Sequence, residues 1–211
     1  MKQVSMPLIA AFGLGTLVSV LAITAWGSYY GWHLTPISAY VLFPLLGLVA
    51  YSLMWTHYAI AAGRDQFGVG KASLKPYFTI TGWVVLVLIL LHPGLLIYQR
   101  YRDGFGLPPH SYESYVAPGL GWVTLLGSAS LLVFLAFELH RVWGDRKWWH
   151  WLRDSSDLAM LAIAYHSLRL GTQLHMGWFL YVWWFYIITL VLLLIRKYSL
   201  RYMMHRKSPA V

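Results

Sequence analysis

Apolar residues along this chain neither alternate with polar ones nor keep to one helical face. They come in unbroken runs of about twenty, the length an α-helix needs to cross roughly 30 Å of hydrocarbon. The runs fall at about 7–26, 37–62, 76–99, 116–139, 151–170 and 178–195, and predict six spans. The polar–apolar alternation of a membrane barrel strand is missing. The expected fold is therefore all-α: a polytopic six-transmembrane-helix bundle, one domain over residues 1–211. Lys2 followed by about twenty apolar residues is too long for a signal-peptide core and reads as a retained first span. Gly13, Gly15, Ser19 and Ala22 give that span small surfaces for close packing. Pro76 is expected at the first position of the third helix, which proline favours.

The charges lie between the runs. Lys2, the stretch 64–75, the stretch 141–153 and the tail from Arg196 hold thirteen of the sixteen lysines and arginines, and only Arg100, Arg102 and Arg169 fall on the other side. Positively charged loops stay in the cytoplasm, so both termini are expected to be cytoplasmic. The net charge of +9 is then a topology signal and not a nucleic-acid footprint. With 59% hydrophobic and 11% charged residues the chain is an integral, multi-pass membrane protein, expected in a bacterial inner membrane with the lipid bilayer as its first partner. No cysteine is present, which removes disulfides, iron–sulfur clusters and thiolate ligation. A redox cofactor would have to be held by histidine or methionine, or be a flavin or quinone. No lysine lies mid-span to carry a retinal Schiff base.

Two histidines interrupt this apolar pattern. His92 lies in Leu91-His92-Pro93 of the third span and His166 in Ala164-Tyr165-His166-Ser167 of the fifth. Ionisable side chains at membrane depth are expensive and face a partner, a cavity or a cofactor. Each histidine stands sixteen residues past the basic edge of its span, from Pro76 and from His150, or roughly 24 Å along a helix. Their depths match. Two imidazoles on facing helices suit the iron of a porphyrin, which bundles hold with inward-pointing side chains. Ala162 and Ala159, one and two turns before His166, offer a bare face for a flat macrocycle. Arg100, Arg102 and Arg169 are placed to pair with haem propionates. The alternatives are a structural hydrogen bond between helices and a proton path.

The motifs Gly63-Arg64, Leu91-His92-Pro93, Trp148-Trp149-His150-Trp151-Leu152 and His166 resemble those of the ferric reductase-type transmembrane domain. That resemblance covers most of the chain. It implies a six-helix b-haem electron carrier with its ligands on the third and fifth spans. Two-haem members carry a second histidine thirteen or fourteen residues away on each; here those positions are Phe78 or Thr79 and Leu152 or Arg153. The resemblance thus implies one outer haem, held by His92 and His166, as in the six-transmembrane metalloreductases, where a flavin does the work of the inner haem. Size and helix plan also resemble the haem-bearing membrane subunit of the bacterial periplasmic methionine-sulfoxide reductase, which implies a periplasmic protein partner.

His57 and His140, near the cytoplasmic ends of the second and fourth spans, are the next pair that could hold a haem. The arrangement resembles the ascorbate-linked b-type cytochromes, although there that pair belongs on the opposite face. Trp148, Trp149 and Trp151 read as an interfacial belt. Arg153 is expected to balance Asp157 at helical spacing, and Asp157 is alternatively a proton-path residue towards a quinone. On the outer face His33, His110 and His175 accompany Asp103 and Glu113 without any regular ligand spacing. No G-x-G-x-x-G fingerprint occurs, so electrons are expected from a quinol or a separate flavin reductase rather than directly from a nicotinamide. They would pass to an outer-face protein or metal-ion acceptor. The competing function is that of a haem-free transporter or assembly protein.

Overall fold

A computed structural model describes residues 5–33, 35–143, 149–175 and 177–207, with side chains except at 139–143, 149, 150, 205 and 207. Trp148 and the side chains of His140, Trp149 and His150 therefore lie outside the described residues. Seven α-helices follow one another: α1 (Met6–Tyr29), α2 (Ala39–Gln66), α3 (Lys71–Arg102), α4 (His110–Glu113), α5 (Gly121–Trp143), α6 (Trp149–Leu170) and α7 (Phe179–Lys207), with a 3-10 turn at Thr172–His175. No strand occurs among the described residues. The six long helices coincide with the six apolar runs. Helices α1, α2, α3, α5 and α7 are long and apolar enough to cross a membrane. Helix α6 has the length, about 33 Å at 1.5 Å per residue, but carries Arg153, Asp154, Asp157 and Arg169.

Several boundaries differ from expectation: α7 runs on through the basic stretch after Ile195 to Lys207, and α5 starts at Gly121, not near Val116. Helix α3 starts at Lys71 and takes Pro76 inside it. Near a helix start the missing N–H of proline forfeits only one bond, here to the Ala72 carbonyl, so the helix runs through. The outer loop before α5 contains the four-residue α4.

Helices α2 and α3 pack along each other as one hairpin, α5 and α6 as a second. Helix α7 bridges α6 to α2, and α3 meets α5, which closes a ring of five helices with α1 outside it against α2 and α3. Without water to drive them together, membrane helices associate through tight packing and interhelical hydrogen bonds. Both are present. Tyr51 stacks on Trp183 and Trp55 on Tyr186, each at 4.6 Å between centroids, joining α2 to α7. Trp55 Nε1 donates to Thr189 Oγ1 at 2.9 Å, Trp183 Nε1 to Ser167 Oγ at 3.0 Å, and Trp26 Nε1 to the Val41 carbonyl at 2.7 Å. Of the small residues on α1, Gly15 and Ala22 are buried, and a Cβ on Gly15 would stand 2.9 Å from the Tyr77 hydroxyl. Gly13 meets nothing.

The charges of α6 are absorbed by its neighbours. Asp157 accepts from Tyr58 at 3.0 Å, Tyr198 at 2.8 Å and Lys197, and Asp154 pairs with Arg201 at 2.9 Å. The partner expected for Asp157, Arg153, is instead exposed: the carboxylate turns towards α2 and α7, away from its own helix surface.

Candidate cofactor site

His92 and His166 line one cavity of about 230 Å³ in the half of the ring away from the basic end. Each is fixed in the same way by the other helix of its hairpin. His92 Nδ1 lies 2.6 Å from the Phe43 carbonyl on α2, and His166 Nδ1 lies 2.8 Å from the Val123 carbonyl on α5. A carbonyl only accepts, so both Nδ1 atoms carry the hydrogen, and in the neutral ring the lone pair is left on Nε2. An Nδ1–H bonded to a carbonyl is the usual support of a metal-ligating histidine, because it fixes the tautomer and the ring plane.

A glycine sits one turn beyond each carbonyl, against the imidazole. A Cβ on Gly47 would stand 2.8 Å from His92 Cε1, and one on Gly127 would stand 2.7 Å from His166 Cε1. The two hairpins thus repeat one device: a carbonyl at i, a glycine at i+4, and a histidine from the neighbouring helix laid across them. Gly47 and Gly127 also line the cavity, as do Pro44 and Pro93. Pro93 follows His92 directly and has no N–H to give the Ile89 carbonyl.

The rest of the wall mixes apolar side chains such as Leu48, Leu96 and Leu131 with polar ones, among them Tyr51, Thr124, Ser128, Ser167 and Gln173. The Tyr51 hydroxyl and Thr124 Oγ1 are buried without a hydrogen-bond partner among the described residues. Buried polar atoms are rarely left unpaired, and here both border the cavity. Two imidazoles with free Nε2 lone pairs on one cavity are a donor set that could hold the iron of a porphyrin. Among the described residues no group of three His, Cys, Asp or Glu side chains could hold a bare metal ion. His110 Nδ1 lies 3.7 Å from Glu113, both exposed, and His33 and His175 do not join them.

The remaining candidates separate from this centre. Arg100 is buried, donates to Ser114 Oγ and stacks over Phe105 at 3.4 Å; its Nε has no partner. It does not line the cavity but stands 5.7 Å from the Tyr115 ring, which does. Arg169 is exposed on α6. Ala159 is buried in the core and Ala162 half-buried, and neither lines the cavity; Gly47 and Gly127, which do, are covered by the histidine rings. His57 lies nearer the basic end, its Nε2 2.7 Å from Thr81 Oγ1.

At the cavity mouth Tyr40 and Tyr115 stack at 6.0 Å, and the Tyr40 hydroxyl donates to Asp103 at 2.7 Å. That bond, aided by Gln99 and the nearby arginines, holds the Asp103 carboxyl below its ordinary range. Burial pushes the Tyr115 phenol up to about 12.

Comparison of the chain with protein-family models, with curated proteins and with solved structures found no match.

Proposed function

We propose that the chain is a single-haem b-type cytochrome of the membrane, ferric reductase-like in plan, which carries electrons from a quinol or a separate flavin reductase to an acceptor at its outer face. The reading rests on one observation above all: two histidines, each with Nδ1 tied to a carbonyl and its ring against a glycine, border the same cavity. In this reading α6 is the sixth span, its acids neutralised by α7, and both termini are cytoplasmic in a bacterial inner membrane.

Haem b, when bound, supplies the one-electron chemistry. The chain supplies the rest. Phe43 and Val123 hold the imidazole tautomers, and Gly47 and Gly127 let the rings seat close to the helix backbones. The apolar part of the wall keeps water out and stabilises the group against loss. Arg100, buried and standing 5.7 Å from the Tyr115 ring that lines the cavity, is the natural partner for a propionate.

The test is a reduced-minus-oxidised difference spectrum of the purified protein and four variants. His92→Ala and His166→Ala should abolish the b-type bands, while His57→Ala and His140→Ala keep them. Loss in all four favours a second haem on His57 and His140. Bands that survive in both His92→Ala and His166→Ala sink the assignment.

A further inference from the structure

Nearer the basic end, the same five helices enclose a second and larger cavity of about 1010 Å³. Met54, Ile89 and Phe134 line both cavities and form the partition between them. From there to the rim the walls are aliphatic and aromatic, with Ala61, Phe78, Val85 and Phe137 among them. Thr79, Glu138 and Ser156 are among the polar groups set into these walls, and two others come from different hairpins. On one side His57 meets Thr81, whose single hydrogen already goes to the Tyr77 carbonyl at 2.6 Å, so the imidazole is the donor. On the other stands Asp157, 4% exposed, with Tyr58 beside it.

Seven cations ring the opening, at the level where the basic residues of membrane helices meet the interface. Arg64 is bonded to Asp65, Arg196 to Gln66, Lys197 to Asp157 and Arg201 to Asp154. The other three, Lys71, Lys75 and Arg153, are exposed. Three of the seven are thus answered by carboxylates and the other four stay at the rim, while the interior below them offers apolar surface with the buried Asp157 and the half-buried Glu138. Such a pocket, large, apolar and carrying a few convergent polar groups, suits a neutral aromatic ligand. A buried carboxylate at membrane depth suits one that releases protons.

We propose that this cavity binds the hydroquinone head of a membrane quinol and that Asp157 accepts a proton from it. The inference rests on the haem reading and names the donor for it. Both O–H bonds of the hydroquinone break and the ring leaves as the quinone. Its two electrons would pass one at a time across the Met54–Ile89–Phe134 partition to the one-electron group that His92 and His166 would hold, and from there to the outer acceptor. The first proton goes to the Asp157 carboxylate and on to water at the rim beside Lys197, which is a third exposed. The second leaves to the same water.

The experiment uses the holoprotein in nanodiscs and the fluorescent quinol analogue 2-heptyl-4-hydroxyquinoline N-oxide. One saturable quenching site per chain is expected. Ala61→Trp, which fills the cavity, should weaken it by about tenfold or more, equivalent to about 1.4 kcal/mol. Asp157→Asn made together with Lys197→Gln, which leaves no stranded ammonium, should bind within about threefold of the parent, yet slow haem reduction by decylubiquinol about a hundredfold, the scale of a lost acid–base group. Its dithionite-reduced spectrum should be unchanged. Haem-free His92→Ala should still quench, which separates this site from the haem assignment. No saturable quenching in haem-replete protein overturns the proposal and leaves the haem reading standing. So does displacement of the analogue by flavin mononucleotide or phosphatidylglycerol, or an unslowed reduction rate in the double variant Asp157→Asn, Lys197→Gln.

Discussion

The imidazole of His166 lies so close to Gly127 that a methyl group there would stand 2.7 Å from both Cε1 and Nδ1. That separation is shorter than any side-chain carbon tolerates, and the ring cannot simply swing away, because Nδ1 is tied to the Val123 carbonyl one turn back. The glycine therefore sets where the histidine sits.

Gly127→Ala should displace His166, break the Nδ1 bond and cost about 1–3 kcal/mol through overpacking. Gly47→Ala should do the same to His92, where the new carbon would stand 2.8 Å from Cε1. Thermal unfolding in detergent reads the stability, and absorbance at the haem band reads cofactor retention. Both variants should lose cofactor to a greater extent than Gly13→Ala, whose position meets no neighbouring atom. Equal retention in all three would mean the glycines do not shape the site.

The carboxylate of Asp157 is nearly buried, and removing it strands Lys197 beside apolar surface. Asp157→Ala should destabilise the bundle by about 3 kcal/mol, whereas a double change of Asp157 and Lys197 to leucine should recover most of that loss. Chemical denaturation in lipid micelles measures both. A single variant as stable as the parent would show that the pair does not fasten α6 to α7.

At the mouth, the hydroxyl of Tyr40 is the largest cause of the lowered Asp103 pKa. A carboxyl whose folded pKa is depressed contributes stability above its unfolded value, near about 3.9, and loses that contribution as pH falls through the folded pKa. Tyr40→Phe should raise the Asp103 titration midpoint towards the ordinary carboxylate value. Carbon-13 NMR of labelled aspartate follows it directly. An unchanged midpoint would mean that the bond does not hold the charge.

The long helices are legible in the sequence because uninterrupted apolar runs have one stable outcome in lipid, and counting along two helices anticipates that His92 and His166 border one cavity, although α3 starts five residues before the Pro76 used for that count. What lies across from each histidine is not legible. Ala159 and Ala162 were the small residues to expect beside His166, since they share its helix; but a ring reaching sideways meets the neighbouring helix, and which residue waits there depends on rotation. Gly47 and Gly127 are ordinary glycines in apolar runs until the hairpins close. One sign does exist in retrospect: each hairpin has a glycine in its first helix and a histidine in its second. Arg153 failed as the partner of Asp157 for the same reason, since helical spacing counts neighbours on one helix and the carboxylate found its donors on α2 and α7. Pro76, a good helix opener, is overruled by the five helical residues before it.

The most direct test of the central claim is electron paramagnetic resonance of the purified ferric protein with haem quantified per chain. The account predicts one haem per chain and the low-spin signal of iron between two imidazoles, lost on replacing His92 or His166. A chain that carries no haem when isolated from haem-replete cells, or a high-spin signal from iron with a single protein ligand, would contradict it.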